Sequence, residues 1–382
     1  MPLFRPPPIA SITRRMVGGV TGMLAVAAVA AEPTLVWEVS AGGGIESPPA
    51  IVDDVVVVTT VDGGVEARQI SDGTPRWTRT FDTVFVAPAA DDDRRIFVGD
   101  VDGTLRCLDL TDGTLRWSAD VGGEIDAAPQ VAGDVVLVTS QQGDLVALSA
   151  DAGGERWRYE TGDQLRCSPR IIGDVVTLGG CDAKLHRVAV AGGTAAGDPV
   201  EIDGPTGSTP AGDDPRRVVL PVMNGVVHGI DIRGGTIVWT YADEGTTQEY
   251  RTDAAVDGDL AVVVSARKAV DALDVSTGQR RWRYRLRRRS DAPAVIHGDD
   301  VWIAATDGRL IRLDRDDGSE RWVGEYRGGF IAGPAIVGDR MYLGDEDGRL
   351  RCFAIDGSDD PDPPTDIDAT SPANPNREAI DE

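Results

Sequence analysis

The sequence is poor in the residue types from which metal centres and redox-active sites are built. It has three histidines and four cysteines in 382 residues, and none of the cysteines are adjacent to each other. It contains no Cys-x-x-Cys-His, Gly-x-Ser-x-Gly or His-Glu-x-x-His motif and no phosphate-binding loop. These absences argue against an attached haem, a serine hydrolase, a zinc protease of that type and a P-loop nucleotidase. We therefore expect a protein that is not an enzyme.

Basic residues, and lysine above all, are also scarce. The chain has 38 Lys and Arg against 63 Asp and Glu, which gives a net charge of −25, and its only lysines are Lys184 and Lys268. A protein that binds nucleic acid needs basic surface to neutralise the phosphates, so this balance argues against a nucleic-acid partner. The acidic excess instead favours solubility.

Long uncharged stretches are missing except near the N-terminus. A pair of arginines there precedes residues 16–31, and Ala28 and Ala30 offer a small-x-small cleavage site. This pattern predicts an export signal over residues 1–31, by either the general or the twin-arginine route. The stretch is short for a membrane span of about 20 residues, and the alternative is an uncleaved N-terminal anchor. We expect the mature protein in the periplasm or cell envelope.

What the chain has in abundance is a repeat. Residues 102–117 contain two short alternating runs, each led in by Asp-Gly, and this phrase recurs along the sequence and ends on Trp. The gap after the fourth Trp contains one more slot, at Gly197, where a weaker copy lacks the Trp. The period is about 40 residues, and the Trp positions are Trp37, Trp77, Trp117, Trp157, Trp239, Trp282 and Trp322.

Each repeat reads as four short strands separated by Gly and Asp turns, which is typical of a β-propeller blade. The last unit, at 334–355, has three strands and no Trp, whereas residues 34–40 form a Trp strand without the preceding three. We therefore predict an all-β, eight-bladed propeller of four-stranded antiparallel blades over residues 32–356, closed by its N-terminal strand. Residues 357–382 are rich in Pro and Asp and are predicted to be a disordered tail.

The Trp rings are expected to dock between neighbouring blades. Each ring can bury about 150–250 Å², which corresponds to roughly 4–6 kcal/mol before entropy at about 25 cal/mol per Å². The fourth blade has Gly197 in place of the Trp and therefore lacks this stabilising contribution from a buried ring. The sequence therefore predicts that the join around the fourth blade is the loosest in the ring.

The repeat resembles that of the PQQ-like β-propeller family. The blade motif of that family ends in Ala-x-Asp-x-x-Thr-Gly-x-x-x-Trp, and this chain carries Ala272, Asp274, Thr277, Gly278 and Trp282 in that register. The resemblance covers about residues 34–355. It implies a propeller fold with either of two kinds of function, because the family includes quinoprotein alcohol dehydrogenases as well as BamB, the propeller subunit of the outer-membrane assembly machinery.

The resemblance favours the BamB-like branch. Quinoprotein dehydrogenases resemble each other in a ring of vicinal cysteines, a catalytic Asp and a calcium cluster, and this sequence has no adjacent cysteines. We expect a non-catalytic, monomeric scaffold in the cell envelope that binds a protein partner or peptide, with no cofactor. The alternatives are a PQQ- or sugar-binding enzyme and a ligand-sensing propeller.

Two cysteines are candidates for a covalent link. Cys167 precedes the first strand of the fourth blade and Cys181 follows its second strand, so the turn between those strands brings both to one open end. An exported protein can keep such a disulfide, and two free thiols are the equal alternative. His186 and His228 occupy the same repeat position in adjacent blades. We interpret them as a consequence of the repeat and not as a metal-binding pair, since zinc needs three or four ligands.

Two charged regions are candidates for binding. The loops that precede the innermost strands meet at the channel rim, where a small polar ligand or a peptide could bind. The alternative is that these charged residues are simply exposed to solvent. The rim candidates are Glu46, Asp126, Arg166, Arg251 and Asp291. An arginine-rich outer strand either protects a blade edge or docks an acidic partner. Its residues are Arg281, Arg283, Arg285, Arg287, Arg288 and Arg289.

Overall fold

The computed structural model describes residues 32–212, 214–243 and 246–355. The predicted export signal at 1–31 and the predicted tail at 357–382 lie outside the described residues. Over the described ranges, no helix is long and apolar enough to span a lipid bilayer.

The structure is an eight-bladed propeller, as predicted, with each blade an antiparallel sheet. The first four blades contain β2 (Ala50–Val52), β3 (Val55–Thr59), β4 (Gly64–Gln69) and β5 (Pro75–Thr80); β6 (Ala90–Asp91), β7 (Arg95–Gly99), β8 (Thr104–Asp109) and β9 (Leu115–Asp120); β10 (Gln130–Ala132), β11 (Val135–Thr139), β12 (Asp144–Ser149) and β13 (Glu155–Glu160); and β14 (Arg170–Ile172), β15 (Val175–Gly179), β16 (Lys184–Ala189) and β17 (Val200–Glu201).

The remaining blades follow the same order, and the last one borrows the first strand of the chain. They contain β18 (Val218–Pro221), β19 (Val226–Asp231) and β20 (Thr236–Ala242); β21 (Ala255–Asp257), β22 (Leu260–Val264), β23 (Ala269–Asp274) and β24 (Arg280–Arg285); β25 (Val295–His297), β26 (Asp300–Ala304), β27 (Arg309–Asp314) and β28 (Glu320–Glu325); and β29 (Ala335–Val337), β30 (Arg340–Gly344), β31 (Arg349–Ala354) and β1 (Thr34–Ser40).

The closing strand is β1. It pairs antiparallel with β31, and Trp37 lies opposite Cys352 in that register. An unpaired outer edge on the eighth blade would be open to pairing with another chain, and β1 covers it. The prediction that the N-terminal strand completes the ring is therefore confirmed.

The fifth blade departs from the four-stranded pattern. Its sheet contains only β18, β19 and β20 among the described residues. At the place of the innermost strand, Ala211 forms a single bridge with Val219. Gly212, next to Ala211, has a φ of +122°, a conformation that interrupts an extended strand.

The core is divided among the joins between blades. Eight clusters of buried side chains form, and each takes its members from two consecutive blades around the ring. The second strands are mostly continuous runs of buried residues, as in β3 and β22. Each blade is covered on both faces by its neighbours, so apolar residues occupy both faces of these strands.

The tryptophans of the repeat lie at these joins. The Trp117 indole N–H donates to the carbonyl of Ala150 in the next blade at 2.9 Å. Its ring lies against Gly153, where a Cβ would stand 2.6 Å from the ring and where φ is +70°. Trp37, Trp77, Trp157, Trp239 and Trp282 make the same pair of contacts with the blade that follows each of them.

The fourth blade has a different contact in place of the missing Trp. Arg187 reaches out from β16, and its Nη1 donates to the carbonyl of Ile232 at 2.9 Å. A Cβ on Gly235 would lie 2.6 Å from Arg187 Nη2, so the guanidinium covers the glycine that an indole covers elsewhere. Arg187 occupies the repeat position that Ala147 holds in the preceding blade. There the small side chain of Ala147 faces Trp157. Arg187 therefore connects the fourth and fifth blades in place of a Trp. The prediction that this join is the loosest did not take this contact into account.

Candidate functional site

The channel rim brings two of the predicted residues together. Asp126 and Arg166 come from the loops before β10 and β14, which belong to neighbouring blades. Gln141 bridges them, because its Nε2 donates to Asp126 Oδ2 at 3.0 Å and its Oε1 accepts from Arg166 Nη2 at 2.9 Å. The Arg166 side chain remains exposed. We call Asp126, Gln141 and Arg166 the rim bridge.

Within the rim bridge, the pKa of Asp126 is unusual for a carboxylate near the surface. Burial raises the pKa of Asp126 to about 6, and the positive charge of Arg166 opposes that rise. Glu124 adds a repulsive negative charge that raises the pKa further. Burial disfavours the ionised form because the carboxylate loses hydration. Asp126 can therefore exchange a proton, or accept a hydrogen-bond donor from a ligand, near neutral pH.

The other three predicted rim residues lie apart from this bridge. Glu46 is half-buried in the loop before β2. Arg251 is exposed and pairs with Glu249 at 2.5 Å. Asp291 pairs with Arg289 at 3.1 Å. The rim therefore presents separate local charge pairs around the ring.

A second polar connection on the same side of the ring joins three consecutive blades. The Ser168 N–H donates to Thr209 Oγ1 at 3.1 Å, and the Thr209 N–H donates to Asp253 Oδ1 at 2.6 Å. Burial raises the pKa of Asp253, while its hydrogen bonds to Thr209 oppose the rise. Sequence reasoning missed Gln141, Thr209 and Asp253. The repeat register would have located all three next to the loops that meet at the rim.

The two candidate cysteines are free thiols in the structure, as are Cys107 and Cys352. Cys167 is buried, and its Sγ lies 3.3 Å from the carbonyl oxygen of Gly179, to which it donates. Cys181 is partly exposed beyond the end of β15. The disulfide alternative is therefore not the one the structure adopts, since the Cys167 thiol is turned into the join between blades.

The two histidines of the repeat make separate contacts within or next to their own blades. His186 Nε2 lies 2.9 Å from Asp182 Oδ2, and its Nδ1 lies 3.2 Å from the Tyr159 hydroxyl. His228 contacts Thr240 Oγ1 at 3.0 Å, and burial lowers the pKa of its imidazole. These contacts satisfy each ring locally.

Comparison with known proteins identifies the family. The model of the family described as outer membrane protein assembly factor BamB matches residues 14–84, 72–200 and 199–353. These segments cover most of the chain. The chain belongs to this family of PQQ-like propellers.

Within this family the individual likenesses are more limited. The outer membrane protein assembly factor BamB of Shewanella oneidensis is 40% identical over 68 residues, which make up 18% of this chain and 17% of that protein. The crystal structure of BamB from Moraxella catarrhalis superposes with a TM-score of 0.74 at 19% identity, covering 85% of this chain and 98% of that one.

The propeller fold is also shared with enzymes. Quinohemoprotein alcohol dehydrogenase ADHIIG from Pseudomonas putida HK5 superposes with a TM-score of 0.71 at 14% identity, covering 86% of this chain and 77% of that one. At such identities the likeness concerns the fold, and one fold hosts unrelated functions.

The dehydrogenase branch of this BamB family implies a quinone and a calcium site. Calcium takes six to eight oxygen ligands. In the part of the chain that the structure describes, no group of three or more His, Cys, Asp and Glu side chains is arranged to hold a metal ion. Cys167 and Cys181 are separated in the sequence, and the first is enclosed between blades.

The arginine-rich strand is largely compensated by carboxylates. Arg281 lies 2.6 Å from both Asp259 and Asp274. Arg283 is mostly buried and points to the neighbouring blade, where it binds Asp243 at 2.9 Å, and it also binds Asp271 at 2.5 Å. Arg283 therefore belongs to the join between blades, and its place in an exposed docking patch was predicted wrongly.

Arg283 is covered because its face of β24 packs against the preceding blade, and a bulge separates Arg281 from that face. The register of β23 and β24 shifts so that Ala272 faces Trp282 while Leu273 faces Arg280, which leaves Arg281 as the extra residue. A bulge breaks the alternation of side chains along a strand. Arg285 and Arg288 are exposed, whereas Arg287 and Arg289 pair with Glu325 and Asp291 at 3.6 and 3.1 Å.

Proposed function

We propose that this protein is a non-catalytic, BamB-like scaffold that is exported to the periplasm or cell envelope and binds a protein partner. Two findings support the proposal: membership of the BamB family, and 40% identity over 68 residues to the outer membrane protein assembly factor BamB of Shewanella oneidensis. We further propose that the protein is a monomer with no cofactor and no nucleic-acid partner.

The binding surface that we propose is the channel rim, and the rim bridge is the observation that carries this choice. Gln141 holds Asp126 and Arg166 in a set geometry across two blades, so their charges are oriented before a partner arrives. Side chains that are already ordered lose less entropy on binding. Arg166 and Arg251 are exposed, and charges at such a surface steer association with a complementary partner.

The test is affinity capture from native envelope fractions with the purified protein as bait. We expect the unaltered protein to recover a stable partner and the double variant Arg166→Glu, Arg251→Glu to lose it. The matched control is Arg156→Glu, because Arg156 is an exposed arginine on the outer strand β13, far from the rim loops in the blade. Equal recovery by all three proteins, or repeated failure to recover any partner, would count against the rim.

The rival function is a quinone-dependent enzyme, and it has its own measurement. The protein is titrated with PQQ and calcium while tryptophan fluorescence and dye reduction with alcohols or sugars are followed. The scaffold proposal expects no turnover above buffer. Substrate-dependent dye reduction would overturn it.

A further inference from the structure

The join between the fourth and fifth blades contains a cavity of about 310 Å³. It lies where the repeat lacks its Trp, and its walls include Ile172, Val175, Ala196, Pro215, Arg187 and Arg233. Pockets that bind small ligands have volumes of about 300–1,000 Å³, so this cavity is at the lower end of that range.

The cavity follows from the replacement of an indole by a guanidinium. At six other joins an indole ring donates to the following blade and covers its glycine. Here Arg187 makes both contacts, through Ile232 and Gly235. A guanidinium is smaller than a bicyclic ring. The exchange therefore leaves space beside it for a flat, apolar group.

The buried positive charge of Arg187 indicates that the cavity lacks a negatively charged group. The structure buries seven arginines to nine-tenths or more, and Arg187 is one of them. The other six each have a carboxylate within 4 Å: Arg68, Arg95, Arg309, Arg312, Arg340 and Arg351.

Arg187 has no such carboxylate among the described residues. It donates to two backbone carbonyls, Ile232 at 2.9 Å and Asp198 at 2.7 Å, and its buried Nε has no hydrogen-bond partner. A buried charge without a counter-charge is unfavourable. The remaining charges on the cavity wall are Arg233 and Asp174, so the wall carries one net positive charge.

We propose that this cavity binds a small aromatic carboxylate. The carboxylate lies between Arg187 and Arg233 and supplies the missing negative charge, and the ring occupies the space beside Ile172 and Val175. A guanidinium attracts carboxylates and its planar face also stacks on aromatic rings, so two arginines on the wall suit a ligand that has both groups.

The site is separate from the rim. Gly173 and Asp174, in the turn between β14 and β15, line the cavity, whereas the rim loops precede β14 at the opposite end of that strand. The ligand site and the partner surface can therefore be tested independently, and failure of one leaves the other standing.

The experiment uses indole-3-acetate as the probe and isothermal titration calorimetry on the intact protein, with neutral indole and acetate titrated alongside. We expect indole-3-acetate to bind at least tenfold more tightly than either fragment. Saturating probe should also raise the melting temperature, since it binds only the folded state.

Three variants locate the binding. Ala196→Phe fills the cavity from its wall and should abolish binding while the melting temperature stays close to that of the parent. Arg187→Gln and Arg233→Gln should each weaken binding at least tenfold. Arg216→Gln, an exposed neighbour outside the cavity wall, is the matched control and should bind normally.

Several outcomes would overturn the proposal. They are equal binding of indole and indole-3-acetate, unchanged binding to a folded Ala196→Phe variant, and no heat of binding at millimolar probe. Because Arg187 also fastens two blades, its variant is judged together with Arg233→Gln, which removes a charge from an exposed wall residue.

Discussion

Glu38 and Arg351 face each other across the strand pair that closes the ring. They are opposite in the register of β1 and β31, and Arg351 Nε donates to Glu38 Oε2 at 2.6 Å across a sequence separation of 313 residues. Arg351 is 2% exposed and also binds Asp345, whose side chain is fully buried, at 2.8 Å. Closure of the propeller therefore combines backbone pairing with a partly exposed ion pair, and Arg351 is itself held by a buried ion pair within the eighth blade.

The two partners of Arg351 predict unequal effects of mutation. Arg351→Met removes the closer of the two guanidinium groups that Asp345 binds and leaves this buried carboxylate only Arg349 Nη1, at 3.5 Å. Breaking a buried pair by removing one partner costs about 3–5 kcal/mol. Glu38 is 42% exposed, so Glu38→Gln should cost about 0–1 kcal/mol because solvent screens the pair. Urea unfolding of both variants measures the difference. Similar losses from the two substitutions would refute the buried role of Asp345.

The glycines under the tryptophans predict a matched pair of alanine variants. Gly153 and Gly133 have similar positive φ angles, +70° and +59°, so alanine is strained at both. A Cβ on Gly153 would lie 2.6 Å from the Trp117 ring, whereas a Cβ on Gly133 meets nothing within 4 Å. We expect Gly133→Ala to cost about 1–2 kcal/mol and Gly153→Ala to cost about 1–3 kcal/mol more, since it overpacks the join.

Thermal unfolding monitored by Trp fluorescence checks this pair of variants. The Gly153→Ala protein should also show a changed emission spectrum, because the Trp117 ring must move. Equal melting temperatures would mean that the ring does not depend on close approach to the glycine.

The raised pKa of Asp126 predicts a dependence of stability on pH. Its pKa is about 6 in the folded protein against 3.8 in the reference state, so the folded protein holds its proton to higher pH. The contribution of Asp126 therefore favours folding below about pH 4 and is lost as the pH rises through 6. Asp91 shifts in the same direction, also to about 6, so the comparison must be made against Asp126→Asn.

The difference in unfolding free energy between the parent and Asp126→Asn should fall as the pH rises from 4 to 7. In Arg166→Gln, the pKa of Asp126 measured by carboxyl NMR should rise further, because the opposing positive charge is gone. A pH-independent difference would mean that Asp126 is not buried in solution.

The thiols predict selective labelling. Burial raises the pKa of Cys167 and of Cys107 to about 12 and that of Cys352 to about 11, so these three are enclosed and protonated at neutral pH. Cys181 is partly exposed. A thiol reagent should label Cys181 alone in the native protein and all four cysteines in denaturant, because the thiolate is the reactive form.

Mass spectrometry of the labelled, unreduced protein counts the reactive thiols. Recovery of only Cys107 and Cys352 in denaturant would indicate that Cys167 and Cys181 are joined in solution. The variant Cys181→Ser serves as the control and should show no native labelling.

The fold was largely predictable because its signal is periodic. The Trp and Gly positions that recur about every 40 residues each report a strand or turn, and the incomplete last unit with its matching strand at 34–40 showed how the ring closes. The site was less predictable. Asp126 and Arg166 were found as loop residues, but Gln141, which joins them, lies in the turn after β11 and carries no motif of its own.

The arginines show the same limit. Alternation alone placed Arg281, Arg283 and Arg285 on one exposed face, whereas a bulge takes Arg281 out of the alternation and the neighbouring blade covers Arg283. A bulge depends on the fit of two strands, so a single strand's sequence does not reveal it.

The sequence by itself determined the number of blades, the order of the strands and the strand that closes the ring, since these follow from local turn chemistry and a fixed spacing. Only the tertiary structure decided what fills the slot at Gly197. Arg187 lies ten residues earlier in the same blade, and it reaches Ile232 in the next blade only because the absent indole leaves room between them. Packing between blades depends on volume and charge from both sides of a join, and neither side alone contains that information.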